Sequence, residues 1–93
     1  MQEVIASNRI MNNGTTIDLL NEEQGLAILK KFGEVIRRRR VELNLTQEQF
    51  SMRAGLHRTY VSSVERGQRN IALLNIESLA QALGVKMAEL MPD

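Results

Sequence analysis

From Phe32 to Leu90 the chain is a series of short apolar stripes spaced three or four residues apart, and each stops at a residue suited to left-handed backbone: Asn44, Gly55, Gly67 or Gly84. Helices of only a few turns are marginal alone in water, so a chain punctuated this often must pack several of them around one core. Strand signals are weak by comparison. There is little period-two alternation, and the aromatic residues are one Tyr and two Phe, so the pattern predicts an all-α fold.

Five helices are expected. In the first, starting near Leu29, Phe32, Ile36, Arg40 and Leu43 share one face, and Arg40 interrupts its apolar stripe. The second follows Leu45, with Thr46 as N-cap, Gln49 completing a capping box, and Phe50 and Ala54 inward. Leu56 and His57 lead into a third with Val61 and Val64 inward. After a loop over 68–74, Asn75 is the expected cap of a fourth helix that buries Ile76, Leu79, Ala80 and Leu83. A short fifth, Lys86 to Met91, precedes Pro92.

Upstream, residues 7–16 are mostly polar with an Asn-Asn-Gly turn signal at 12–14. The chain is therefore divided into an arm, 1–26, partly ordered or holding a short helix, and a domain, 27–93. Within the arm, Ile17, Leu19 and Leu20 offer a docking piece, and Asn21 before Glu22 and Glu23 offers a helix cap.

A length of 93 residues suits one small domain and excludes a large multidomain enzyme. With no cysteine there is neither a disulfide nor a thiolate metal site, and a cytoplasmic location is expected. No apolar run approaches the ~18 residues of a membrane span, and the start from Met1 to Ile5 lacks the order of a secretory signal. The net charge of +1 hides three opposed blocks: −3 over residues 1–29, +6 over 30–70 and −2 over 71–93. A basic centre of this kind suits a polyanion-binding surface, although a solvated face without a partner has the same composition.

The run from Leu45 through Gly67 places two short helices around a Gly-containing turn, the unit that inserts its second helix into the DNA major groove. It resembles the helix-turn-helix of phage repressor and Cro proteins, over about Phe32 to Leu90. The blocks His57-Arg58-Thr59-Tyr60 and Glu65-Arg66-Gly67-Gln68-Arg69-Asn70 are similar to those of the controller proteins of restriction-modification systems, which are small dimeric regulators. The resemblance implies a five-helix repressor-like domain that binds double-stranded DNA as a homodimer.

Geometry assigns the roles. Arg58, at the start of the third helix, can present its planar fork to guanine, with Thr59 and Tyr60 beside it and Ser62 and Ser63 as further base-reading candidates. For Tyr60, a partly packed side chain is an equal alternative. Gln47 sits at the positive end of the second helix, where a phosphate is favoured, and the resemblance implies that it also steadies the recognition helix. His57, Arg66, Arg69 and Asn70 flank the third helix and are assigned to phosphate. Arg40 and Glu65 each fall on an inward face and should meet; the resemblance implies an ion pair between the first and third helices. Arginines 37 to 39 turn about 100° per residue, so they cannot all serve one ligand.

Catalysis finds little support. The two aspartates, Asp18 and Asp93, lie in the terminal regions, no phosphate-cradling Gly loop occurs, and no cofactor or metal is implied by a single imidazole without cysteine. A protein-interaction module using the five methionines is the competing class, but it leaves the basic centre unexplained. A regulator uses both features, with Leu73, Leu74, Ile76, Met87, Leu90 and Met91 as its homodimer seam. Controller, phage-type repressor and autoregulating antitoxin stay open, as does a contact with RNA polymerase if the protein activates.

Overall fold

The computed structural model describes residues 22–93 as four α-helices, α1 (Glu22–Glu42), α2 (Gln47–Ala54), α3 (Arg58–Glu65) and α4 (Leu73–Leu83), followed by a 3-10 turn, Met87–Leu90. No strand occurs among the described residues. Ile17, Leu19, Leu20 and the proposed cap Asn21 lie outside them.

The stops work through backbone conformation. Asn44 takes φ 58° after α1, and Gly55 φ 68° after α2. At Thr46, where α2 starts, the side-chain oxygen accepts from Gln49 N–H at 3.0 Å and the Thr46 N–H donates to Gln49 Oε1 at 2.9 Å, a reciprocal cap that satisfies two otherwise orphaned donors. α2 and α3 are thereby separated by only Gly55, Leu56 and His57.

Three boundaries differ from the sequence expectation. α1 begins at Glu22 and runs unbroken through residues 26 and 27, with Glu22 and Glu23 in a first turn whose positive end favours carboxylates. α4 begins at Leu73, two residues before Asn75, because Ala72 takes the extended cap conformation and the Asn75 amide is engaged elsewhere, donating to Tyr60 Oη at 3.0 Å. The fifth helix is only a 3-10 turn. Its four residues are too few to sustain α-helix, and Met91, preceding Pro92, is held extended at φ −75°, ψ 132°.

The core joins every element. Phe32 and Ile36 of α1, Phe50 of α2, Val61 and Val64 of α3, Leu79, Ala80 and Leu83 of α4, and Leu90 form one buried cluster. α1 and α3 approach closely enough to require glycine: a Cβ on Gly33 would lie 2.5 Å from the Val64 carbonyl oxygen and 2.6 Å from that of Glu65. Just past α3, Gly67 has φ 73°, and a Cβ there would lie 2.7 Å from Lys30 Cα. α1 is therefore a backbone-tight support for the C-terminal end of α3.

Candidate nucleic-acid interface

The interface is built outward from a buried ionic anchor. Arg40 Nε donates to Glu65 Oε2 at 2.6 Å and Nη2 to Oε1 at 3.0 Å, a forked pair, while Nη1 donates to the Leu45 carbonyl at 2.8 Å. The Gln47 side-chain amide adds a third donor to Glu65, at 3.0 Å from Oε1. The side chains are 11% and 2% exposed for Arg40 and Glu65. At that burial a carboxylate persists only when its lone pairs are met by donors, and here three donors meet them. One residue of α3 is thus tied to α1 and to the first residue of α2, which fixes the helix about its own axis.

Toward the N-terminal end of α3, Arg58 and Thr59 are exposed and Ser62 is half-buried. His57 caps α3: its Nδ1 accepts from Thr59 N–H at 3.2 Å and also pairs with the Thr59 hydroxyl. Arg66, just past the helix, donates from Nη1 to Ser62 Oγ and from Nε to Gln68 Oε1 at 3.2 Å. The Arg58 side chain has no hydrogen-bond or ionic partner among the described residues.

Tyr60 and Ser63 turn away from this face. Ser63, expected among the base readers, is buried: its hydroxyl donates to the Tyr60 carbonyl at 2.7 Å and accepts from Arg69 Nε at 3.0 Å. The chain folding back after α3 brings Arg69 over it, so Ser63 is corrected to a bracing role. Tyr60 is half-buried, accepts from Asn75, and lies under the Arg69 guanidinium, 5.3 Å from the ring centroid. Arg69 and Asn70 themselves are exposed. Gln47 is half-buried with its amide on Glu65, so what it offers a phosphate is its position at the start of α2.

Among the seam residues, Leu73 and Leu74 are 68% and 80% exposed and Met91 is also exposed, whereas Ile76 and Met87 are half-buried against the core. Leu90 is fully buried within its own chain and is removed from the seam. It is the apolar anchor by which the terminal turn is held to α1 and α4.

Several participants escape sequence reasoning. Asn75 has the residue type of a cap yet serves Tyr60; only the fold shows this. Arg39 reaches Glu89 at 3.7 Å, linking α1 to the terminal turn. The capping role of His57 had a positional signal, since it directly precedes the helix, but histidine is outside the usual set of cap residues. No described helix is long and apolar enough to cross a membrane.

A helix-turn-helix family model matches residues 36–90. The control protein C.BamHI of Bacillus amyloliquefaciens is 44% identical over 61 residues, spanning 64% of this chain and 75% of that protein. The crystal structure of the restriction-modification controller protein C.AhdI from Aeromonas hydrophila superposes with a TM-score of 0.69 at 48% identity, covering 70% of this chain and 98% of the other. The controller protein C.Esp1396I, solved as a tetramer in complex with its natural 35-base-pair operator, is similar at 33% identity and a TM-score of 0.64, over 68% of this chain and 83% of that one.

Proposed function

Since this chain belongs to the helix-turn-helix family, over residues 36–90, we propose that it is a sequence-specific DNA-binding transcriptional regulator of the controller kind, not an enzyme. It acts in the cytoplasm as a homodimer on a pseudo-palindromic operator. The domain from α1 onward supplies DNA binding and dimerisation, and the residues before Glu22 are the arm. The carrying observation is the contrast on α3, where Glu65 is locked to Arg40 and Gln47 while Arg58, Thr59 and Ser62 remain outward.

In this reading the N-terminal half of α3 enters the major groove, Arg58 pairs with guanine O6 and N7, and Thr59 and Ser62 read neighbouring base edges. Tyr60 contributes the support on which Arg69 stacks. His57, Arg66, Arg69 and Asn70, with the start of α2 at Gln47, grip phosphates and set the register. Leu73, Leu74 and Met91, joined by the exposed parts of Ile76 and Met87, form the seam, so that two-fold symmetry sets the recognition helices about 34 Å apart, one turn of B-DNA. RNA polymerase is a partner where the regulator activates.

The test is selection of bound duplexes from a random pool, followed by gel shift against salt. A recovered sequence with two-fold symmetry, and an affinity that falls steeply with rising salt, supports the reading. Binding without sequence preference would leave a nonspecific basic protein in its place. The 36% identity over 61 residues to the immunity repressor protein of Bacillus phage phi105 favours a phage-type repressor as the second reading. Genomic neighbours separate the two: an endonuclease and methyltransferase pair fits the controller, and prophage genes fit the repressor.

A further inference from the structure

Two hydroxyls on the outward face of α3, those of Thr59 and Ser62, are three residues apart and therefore neighbours on one helix surface. A hydroxyl can both donate and accept, so by itself it discriminates poorly between base edges. Each of these two is bonded to a neighbour, and at Thr59 the neighbour's chemistry removes the ambiguity.

A backbone N–H can only donate, and the Thr59 N–H points to His57 Nδ1 at 3.2 Å. That nitrogen is therefore bare, and the imidazole hydrogen sits on Nε2. The same bare nitrogen pairs with Thr59 Oγ1. Two lone pairs cannot bond, so the Thr59 hydroxyl hydrogen must point at His57. What Thr59 has left for a ligand is an oxygen lone pair and a methyl group. Ser62 differs. Its oxygen accepts from Arg66 Nη1, and a guanidinium only donates, so Ser62 keeps its hydroxyl hydrogen, together with a second lone pair, for a ligand.

We infer that His57 sets the hydrogen-bond polarity of the outward face of α3 by making Thr59 an acceptor with a methyl, while Arg66 leaves the Ser62 hydrogen free. This rests on the reading that α3 enters the major groove. There, adenine N6 and cytosine N4 donate, thymine presents a methyl, and guanine presents only acceptors. Thr59 accordingly tolerates adenine, cytosine or thymine beneath it and rejects guanine. Ser62 can donate to guanine O6 or N7, to adenine N7 or to thymine O4, so it sets no comparable preference. His57, with its hydrogen on Nε2, is left as a donor suited to phosphate. His57 is thus a specificity-positioning residue that acts through Thr59.

The first arm of the test uses the free protein. Long-range nitrogen-proton NMR of the single imidazole in its neutral form should show the hydrogen on Nε2. A hydrogen on Nδ1 overturns the inference, whether or not the protein binds DNA. The second arm uses duplexes derived from the selected operator, with each half-site base changed in turn. The wild type should disfavour guanine at one position by about fivefold, the worth of one hydrogen bond. His57→Ala should abolish that ratio, and His57→Asp, which restores an acceptor, should keep it. Thr59→Val should lose the preference for adenine and cytosine yet retain thymine. A ratio of two affinities for one variant does not depend on that variant's stability, so impaired folding cannot imitate these results. An unchanged ratio in His57→Ala overturns the inference. A wild type without sequence preference refutes the functional reading and leaves the NMR result to decide the polarity.

Discussion

The two ends of α3 handle charge in opposite ways. At the C-terminal end Glu65 is 2% exposed and accepts from Arg40 twice and from Gln47 once. At the N-terminal end the Arg58 side chain is exposed and has no protein partner among the described residues. A buried charge without a partner is costly, and an outward one already engaged has less to offer a ligand. The division teaches that rigidity and availability are separate properties of one eight-residue helix: its far end is fixed so that its near end can stay uncommitted.

Breaking the inner end should have the largest effect. Arg40→Ala leaves Glu65 buried with only Gln47, and should lower stability by about 3–5 kcal/mol, more than ~10 °C in melting temperature for a domain of this size. Operator affinity should fall with it. Thermal unfolding followed by circular dichroism checks this, and an unchanged midpoint would refute the anchoring role.

The support beneath that end gives the next test. In an open helix position Gly→Ala gains up to about 1 kcal/mol. Gly33→Ala should instead destabilise by about 1–3 kcal/mol, because the new methyl would sit 2.5 Å from a backbone oxygen of α3. Gly25→Ala, in the same helix with nothing within 4 Å of its Cβ, is the control and should be neutral or stabilising. Urea titration of both variants, with shifts in opposite directions, would locate the tight contact.

At the outer end the effects should separate from stability. Arg58→Ala should leave the unfolding midpoint within about 0.5 kcal/mol and cost about 1–3 kcal/mol of discrimination at one operator base pair. A gel-shift series across single-base operator variants measures it. A loss of affinity spread evenly over all of them would make Arg58 a phosphate contact.

The sequence made the two ends unequally legible. Arg40 and Glu65 stand out because each interrupts an apolar stripe, and the costs of burial leave few options for such residues; the structure brings them together. Helix stops were similarly visible, since Asn44, Gly55 and Gly84 change the backbone itself. Legibility failed where tertiary position decides. Ser63 lies one residue from Ser62 and has the same chemistry, yet Arg69 returns across it and buries it. Leu90 has the spacing of an exposed seam residue, but the terminal turn folds it into the core. Periodicity assigns a face to each helix and leaves open which neighbour comes to cover it.

Gln47 stands on the border between the two ends, so it sharpens the comparison with the smallest effect. Its amide belongs to the inner anchor through Glu65, while its place at the first turn of α2 belongs to the outer surface. Gln47→Ala removes one of the three donors to Glu65 and should cost about 1 kcal/mol of stability. If the phosphate role rests on the start of the helix and not on the side chain, operator affinity should fall only modestly, and equally for every base substitution. Parallel measurement of urea midpoints and of the operator panel decides the matter. A change in base preference would show that the anchor also sets the rotation of α3 in the groove, because no Gln47 atom would then be needed at a base edge for its loss to be read there.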